Sequence, residues 1–152
     1  MRQRWRLASP TDVGDVVARL RHEDKEECRA MFGIDPASFF QSFGFDPENT
    51  YVFFNSDNIN VGLAGVTPRS DGSAMIWMVA TPELENHSME FLRYSRTFIK
   101  SVSEPFDLLF NWVDARNTVH LKWLQWCGFT FIQRHETFGA EGRPFYTFVR
   151  IT

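Results

Sequence analysis

The chain has 152 residues, the length of one globular domain, and a globule of this size folds without disulfide or metal cross-links. Its 16 basic and 19 acidic residues give a formal net charge of −3, which argues against a general nucleic-acid or anionic-membrane binder. Aromatic residues make up 16% of the chain, so we expect large rigid rings to pack the core.

Cysteine usage and the chain's apolar segments indicate its environment. Cys28 and Cys127 lie far apart and belong to no CxxC or Cys/His cluster, so the sequence predicts neither a disulfide scaffold nor a metal site. No apolar segment of a signal peptide follows the basic N-terminus, and the longest apolar run, residues 74–80, is too short to span a bilayer. We expect a soluble protein in a cytosolic or virus-interior setting, without a membrane-spanning segment.

The first half of the chain predicts a strand, two or three helices and then a meander. Residues 4–7 alternate charged and bulky side chains, as a half-exposed strand does. Ser9, Pro10 and Asp12 are typical of a helix start, and Gly33 is placed to end a second helix over residues 22–32. A short third helix restarts at residues 35–36. Three strands are predicted around residues 51–54, 59–63 and 74–80, the last apolar on both faces.

The second half predicts two helices among three strands. The longest helix follows Pro82 and buries one face, formed by Phe91, Ser95, Phe98, Ile99 and Val102. A strand over 106–113, a helix over 117–127, a strand over 129–134, a loop over 138–144 and a strand over 145–151 complete the chain. This order requires a mixed sheet with helices on both faces, so we predict one α/β domain over residues 1–152.

Two segments resemble the acyl-CoA N-acyltransferase (GNAT) superfamily. Residues 5–12 (WRLASPTD) resemble its I-R-x-A-t-p-e-D opening, and residues 117–129 (NTVHLKWLQWCGF) resemble the N-x-x-A-x-x-x-Y-x-x-x-G-F helix that closes its acyl-CoA site. The predicted element order is also the order of that fold. The resemblance implies a GNAT-like, mostly antiparallel mixed sheet.

The segment from Leu109 to Gly128 is also similar to the C-terminal half of small internal virion proteins of short-tailed phages, which are GNAT-like themselves. The shared positions are Leu109, Phe110, Asn111, Trp112, Val113, Asn117, Thr118, His120, Lys122, Leu124 and Gly128. This resemblance implies a phage-encoded protein in the virion interior or the host cytoplasm, whose partners are virion or host proteins.

Members of the GNAT superfamily bind the cofactor diphosphate with a glycine-rich Q/R-x-x-G-x-G/A loop after the fourth strand. Residues 80–88 (ATPELENHS) occupy that place and contain no glycine, and Pro82 lacks an amide donor. Glu83 and Glu85 would repel phosphates. We therefore expect no cofactor in the usual mode, with acetyl-CoA as the cofactor if the loop binds in an atypical way.

The positions at which the superfamily carries its catalytic side chains hold residues without that chemistry in this chain. The superfamily often uses a tyrosine of the late helix as general acid, and Leu124 stands there. Residues 74–80 contain no carboxylate for a general base, and we interpret Asp107 and Asp114 as solvated loop carboxylates. No catalytic residue is predicted. Asn117 and Val79 are the positions that the resemblance assigns to cofactor contact, with a helix N-cap and a buried strand residue as the alternatives.

The remaining reactive side chains predict no site. His120 and Cys127 share a helix face but lie two turns apart, too far for a nucleophile and its base, so we interpret His120 as a packed, hydrogen-bonded residue. Trp112, Trp123 and Trp126 are interpreted as core residues, with an exposed contact patch as the alternative.

Three functions follow from these observations. The leading hypothesis is a catalytically degenerate GNAT-fold protein of a phage virion or its assembly, acting through protein contacts rather than as an enzyme. The alternatives are an active, acetyl-CoA-dependent N-acetyltransferase of a host protein or small amine, and a host-directed inhibitory binding protein. Fold analogy alone does not decide among them.

Overall fold

The computed structural model describes residues 3–86 and 88–152. The strands are β1 (Trp5–Leu7), β2 (Thr50–Phe54), β3 (Asn60–Pro68), β4 (Ser73–Ala80), β5 (Leu108–Asp114), β6 (Thr130–Phe138) and β7 (Arg143–Ile151). The helices are α1 (Pro10–Val17), α2 (His22–Phe32), α3 (Pro36–Phe43), α4 (Glu83–Asn86), α5 (Ser88–Ser103) and α6 (Thr118–Trp126).

The seven described strands form one mixed sheet in the order β1-β2-β3-β4-β5-β7-β6. Strands β4 and β5 pair in parallel, and every other neighbouring pair is antiparallel. The α/β fold class with a mixed, mostly antiparallel sheet is thereby confirmed. Strand β4 is central, as its two apolar faces predict.

The predicted helix boundaries of the N-terminal half have visible physical causes. The Ser9 hydroxyl accepts the backbone N–H of Asp12, and the Asp12 carboxylate accepts the backbone N–H of Ser9 at 2.9 Å, which forms a capping box at α1. Helix α2 ends at Gly33, whose φ of 78° is in the left-handed region that glycine adopts at no steric cost.

The sheet separates two apolar cores. The larger core packs α5 and α6 against one face of the sheet, with Phe53, Phe98 and Leu109 among its buried side chains. The smaller core lies on the other face, where Val13 and Val16 of α1 contact the sheet. Helices therefore cover both faces, as predicted.

Several predicted segments differ in extent from the structure. Strand β3 continues to Pro68, beyond the predicted end at residue 63, because residues 64–68 pair with β4. The sixth strand extends to Phe138, beyond the predicted end at residue 134, because Phe138 pairs with Arg143 across the hairpin. The turn is then shorter than the predicted loop, and Gly139 and Gly142 adopt positive φ in it. The helical segment after Pro82 consists of two helices, α4 and α5, and His87 between them lies outside the described residues.

Within residues 3–86 and 88–152, no helix combines the length and apolarity needed to cross a bilayer. In the same residues, no group of three or more His, Cys, Asp and Glu side chains has the arrangement of a metal site.

Candidate functional site

The sheet opens between the parallel strands β4 and β5. Their pairing joins Ser73–Met75 to Leu108–Phe110, and the strands separate beyond it toward their carboxyl ends. At the fork, Asn111 Nδ2 donates to the carbonyl oxygen of Ile76 over 2.7 Å, so a side chain replaces a ladder hydrogen bond. Open α/β sheets bind ligands in such crevices at the carboxyl ends of strands, which makes this gap the candidate site.

One cleft lies on the α5 and α6 side of the gap and has a volume of about 480 Å³. Residues from α2, β4, α4, α5 and α6 line it. Most of its wall is apolar, with Met78, Leu84, Phe91, Leu92 and Trp123 as the main contributors. We call it the α5–α6 cleft.

A second cleft, of about 430 Å³, lies on the α2 and α3 side of the sheet. Aromatic rings and three carboxylates line it, and we call it the aromatic cleft. These residues are Phe32, Phe39, Phe40, Phe43, Phe45, Trp77, Trp112, Phe148, Asp24, Glu27 and Asp46.

The two clefts meet at residues that line both of them, namely Asp24, Met78, Val79 and His120. Val79 is half-buried at this junction and packs against the smaller core, so the alternative of a buried strand residue holds only in part. The junction joins one cavity on each side of β4, an arrangement in which two ligands can approach each other.

A polar cluster of Arg21, Asp24, Glu27, Asn117 and His120 lies at the junction. The buried Asn117 side chain donates through Nδ2 to Asp24 Oδ1 at 3.1 Å and to Glu27 Oε1 at 3.3 Å. Its Oδ1 accepts from the Arg21 guanidinium at 3.5 Å. Asn117 is the N-cap residue of α6, as that alternative predicts, but its side chain makes no capping hydrogen bond. The amide instead fastens the start of α6 to α2.

Burial and the neighbouring charges shift the pKa values of this cluster in opposite directions. Burial raises the pKa of Asp24 above its ordinary value, although the Arg21 guanidinium at 3.5 Å lowers it in part. Burial lowers the pKa of His120, but Glu27 and then Asp24 outweigh it, so the pKa of His120 is raised overall. His120 Nδ1 is 3.9 Å from Glu27 Oε1 and has no hydrogen-bond partner in the described chain, so His120 is packed but not hydrogen-bonded at that atom.

At its carboxyl end, the edge of β4 that faces the gap is hydrogen-bonded to the start of α2. Thr81 donates its N–H to Val61 on β3, so the antiparallel alternation turns the backbone groups of Met78 and Ala80 toward the gap. The Ala80 N–H donates to Asp24 Oδ2 at 2.8 Å, and the Ala80 carbonyl accepts the Arg21 N–H at 2.8 Å. The start of α2 therefore takes both backbone groups of Ala80.

Acidic side chains lie just beyond this edge. Arg19 Nη1 contacts Glu83 Oε1 at 3.0 Å, and Arg21 Nε lies 3.4 Å from Glu85 Oε1. The two acids predicted to repel phosphates are thus paired with arginines of the α1–α2 segment. His87, in the same predicted loop, lies outside the described residues.

Leu124 and Asp114, two positions at which a catalytic side chain could be expected, are both buried. Leu124 is fully buried in the larger core, where a side chain has no access to the clefts. Asp114 is also buried, at 1% exposure, and pairs with Arg116, so its interpretation as a solvated loop carboxylate is wrong. Its backbone N–H donates to Glu27 Oε1 at 3.0 Å, which adds to the contacts that hold Glu27.

Sequence reasoning missed the α2 contribution to the site. Arg21, Asp24 and Glu27 belong to a strongly charged segment, residues 21–29 (RHEDKEECR), which reads as a solvated helix face. The signal available was the spacing of Asp24 and Glu27, three residues apart and so on one face of a helix. That spacing gives no indication that the face is buried.

Comparison with known proteins identifies the fold. No family model and no curated protein matches the chain. A GNAT-family acetyltransferase from Bacillus anthracis superposes with a TM-score of 0.73, covering 99% of this chain and 96% of the other at 13% identity. A GCN5-related N-acetyltransferase from Kribbella flavida has a TM-score of 0.67, with 97% and 96% covered at 17% identity.

A chimera of the Vibrio cholerae spermidine N-acetyltransferase and hSSAT is similar at a TM-score of 0.64, with 97% of this chain and 93% of that chain covered at 14% identity. At these identities the likeness is one of fold. The chain has the GNAT fold along nearly its whole length.

Proposed function

We propose that this chain is a catalytically degenerate GNAT-fold protein, encoded by a phage, that acts through protein contacts inside the virion or during its assembly. The observation that carries the proposal is the capping of Ala80, whose N–H and carbonyl are both bonded to α2. In the GNAT fold the pantetheine arm of the cofactor pairs with this strand. An arm that needs the same edge has to displace Arg21 and Asp24.

That displacement is costly because both side chains are buried. Asp24 and Arg21 are each 4% exposed and form a salt bridge at 3.5 Å. Separating a buried ion pair costs about 3–5 kcal/mol. The hydrogen bond from Ala80 to a charged acceptor, worth about 1.5–3 kcal/mol, would also be exchanged for a weaker one to a neutral carbonyl of the arm. Together these contributions support weak or absent binding of acetyl-CoA.

The end of the site where phosphates would lie supports the same conclusion. Glu83 and Glu85 already neutralise Arg19 and Arg21, so those arginines are engaged rather than available to a diphosphate. The segment has no glycine at which backbone amides could approach a phosphate closely. A bound nucleotide would therefore meet arginines that are already paired with carboxylates, and no cradle of backbone amides.

The phage part of the proposal is supported by the sequence from Leu109 to Gly128, which resembles internal virion proteins of short-tailed phages. In the structure this segment comprises β5, α6 and the turn after it. Trp126 and Val119 of α6 are exposed, as residues of a contact surface would be. The proposed location is the virion interior or the host cytoplasm.

Thermal melting with acetyl-CoA and with CoA, at millimolar concentration, tests the loss of cofactor binding. We expect no rise in Tm for this chain, while an active acetyltransferase of the same fold rises in parallel as the control. A cofactor present at a hundred times its Kd would stabilise the folded state by about 2.7 kcal/mol. A rise of that size would overturn the degenerate assignment.

Mass spectrometry of purified particles tests the virion role. We expect the polypeptide to co-purify with particles of the phage that encodes it, through a density gradient that removes lysate proteins. Its absence from particles would contradict the proposal. A host enzyme that co-purified with the chain instead would favour the host-directed inhibitor.

A second candidate is an acetyl-CoA-dependent N-acetyltransferase, favoured by the junction of the two clefts at Asp24 and His120. The aromatic cleft, with its carboxylates, has the chemistry of an amine site. Val79 and Asn117 would remain the predicted cofactor contacts. We test this candidate by amine-dependent release of CoA from acetyl-CoA. Release by the wild-type protein that is lost in His120→Gln but kept in the exposed-site control His22→Gln would establish the candidate. No release by the wild-type protein would exclude it.

A further inference from the structure

The α5–α6 cleft contains buried nitrogen atoms without a hydrogen-bond partner in the described part of the chain. They are Arg21 Nε, His120 Nδ1 and Trp123 Nε1, and all three side chains line this cleft. Glu85 Oε1 is 3.4 Å from Arg21 Nε but is not in hydrogen-bonding geometry with it. A buried polar group left unpaired costs about 1–3 kcal/mol, so a ligand carrying acceptor oxygens would remove a substantial penalty.

The charges of the cleft favour an uncharged ligand. Among the described residues, its wall contains the cations Arg21 and Lys122, the carboxylates Asp24 and Glu85, and the imidazole of His120. Arg21 already has carboxylates nearby at 3.1 Å, 3.5 Å and 3.4 Å. A further anion beside Arg21 would be repelled, whereas a neutral carbonyl oxygen can accept from the unpaired nitrogens without that penalty.

The mouth of the cleft continues as an apolar surface. Val119 is 47% exposed and Trp126 is 40% exposed, and both line the cleft. Trp126 Nε1 donates to the Leu92 carbonyl at 3.0 Å, and the Arg96 guanidinium lies 3.6 Å from the centre of the indole ring. The exposed ring is therefore held in place before any partner arrives.

An apolar pocket beside a fixed exposed tryptophan, with charges of both signs at the rim, has the composition of a protein interface. We propose that the α5–α6 cleft is the docking site for an uncharged apolar segment of a partner protein. Backbone carbonyls of the segment accept hydrogen bonds from Arg21, His120 and Trp123, and its apolar side chains fill the cleft. This inference rests on the proposed function, because a cofactor arm would occupy the same space.

The test is an NMR titration of the ¹⁵N-labelled full chain with the capped dipeptide Ac-Leu-Phe-NH₂. We expect saturable shift changes at amides of the cleft wall on α6 and β4. The matched peptide Ac-Ala-Ala-NH₂ lacks the apolar anchors and should need at least a roughly ten-fold higher concentration. Pantetheine serves as the third probe, since it has two amides on a flexible arm but no large apolar side chain.

Two variants connect the response to the cleft. Val119→Asp places a charge at the exposed mouth and should abolish the response to the leucine–phenylalanine peptide. Ile132→Asp, at a 59% exposed position of β6 that does not line the cleft, is the matched control and should leave it unchanged. Trp123→Phe removes one unpaired donor and keeps an apolar ring, so saturation should need a roughly five-fold higher concentration.

Absence of shifts at the cleft, an equal response to the alanine peptide, or an unchanged response in Val119→Asp would each overturn the inference. Saturation by pantetheine at a lower concentration than the leucine–phenylalanine peptide would assign the cleft to a cofactor arm instead. Stabilisation by acetyl-CoA in the melting experiment overturns the proposed function and with it the premise of this inference, while a missing peptide response overturns this inference alone.

Discussion

Asp12 shows how one side chain joins a helix start to the edge of the sheet. Its carboxylate accepts from the Arg6 guanidinium, from the Ser9 backbone and hydroxyl, and from Asn60 Nδ2 at 3.1 Å. These donors, the Arg6 guanidinium first, hold the pKa of Asp12 well below its usual range even though burial opposes them. The charged form is therefore bound more tightly in the folded state than in the unfolded chain.

Asp12→Asn should lower the free energy of unfolding by about 1–2 kcal/mol at neutral pH, because it replaces the charged acceptor of the Arg6, Ser9 and Asn60 hydrogen bonds with a neutral amide. A carboxylate with a lowered pKa stabilises the fold above its unfolded pKa, near 4, and that contribution is lost as the pH falls through the folded pKa. The difference between variant and wild type should therefore shrink steadily below about pH 4.

Urea unfolding at a series of pH values measures this difference. Asp57→Asn, at an exposed position of the β2–β3 turn, is the control and should differ little from wild type throughout. An Asp12→Asn deficit of the same size in strong acid and at neutral pH would contradict the explanation.

At the scale of single elements, β3 is shaped by a glycine that faces a tryptophan. Gly65 pairs with Trp77 of β4, and a Cβ on Gly65 would lie 2.5 Å from the indole ring. Helix α1 offers the opposite case, because a Cβ on Gly14 would meet nothing within 4 Å. A side chain at position 65 would therefore clash inside the sheet, whereas a side chain at position 14 would fit on α1 without a clash.

Gly65→Ala should destabilise the protein by about 1–3 kcal/mol, because the added methyl forces the indole or the strand to shift. Gly14→Ala should stabilise it by about 0.5–1 kcal/mol, because alanine loses less conformational freedom in a helix. Thermal melts of the two single variants beside wild type check both signs. An unchanged Tm in Gly65→Ala would show that Trp77 moves aside at no cost.

At the scale of the whole molecule, the larger core is held together by aromatic contacts across the sheet and α5. The Phe98 ring lies 4.7 Å from the Phe53 ring and 5.4 Å from the Tyr51 ring, both centre to centre and close to edge-on. Trp5 of the edge strand β1 adds a third edge contact at 5.6 Å. Phe98 thus links the first two strands to the longest helix.

Phe98→Ala should lower the free energy of unfolding by about 3–5 kcal/mol, because it removes a fully buried ring and leaves a cavity between sheet and helix. Phe43→Ala, at a position that is 70% exposed on α3, should change it by no more than about 0.5 kcal/mol. Denaturant unfolding of both variants gives the comparison, and similar losses in the two would contradict the assignment of the core.

The sequence alone determined the elements and the fold class of this protein. Ser9, Pro10 and Asp12 mark the start of α1, and Gly33 ends α2, because capping is a local interaction between near neighbours. The apolar periodicity of α5 and the two-sided apolar run of β4 predict their places, because the period of a side-chain pattern depends on local geometry. The extent of β6 into its hairpin with β7 does not follow from its own sequence, since the pairing depends on a partner strand.

The candidate site was decided by tertiary structure. Asn117 is the N-cap residue of α6, but its buried side chain bonds to Asp24 of α2 instead of capping, and Asp114 is buried beside Arg116 with its backbone N–H bonded to Glu27 of α2. Asp24 and Glu27 resemble any charged helix face until the start of α2 packs along the open edge of β4. Burial, and with it the cost of an unpaired charge, depends on which distant segment covers a side chain, and no local pattern carries that information.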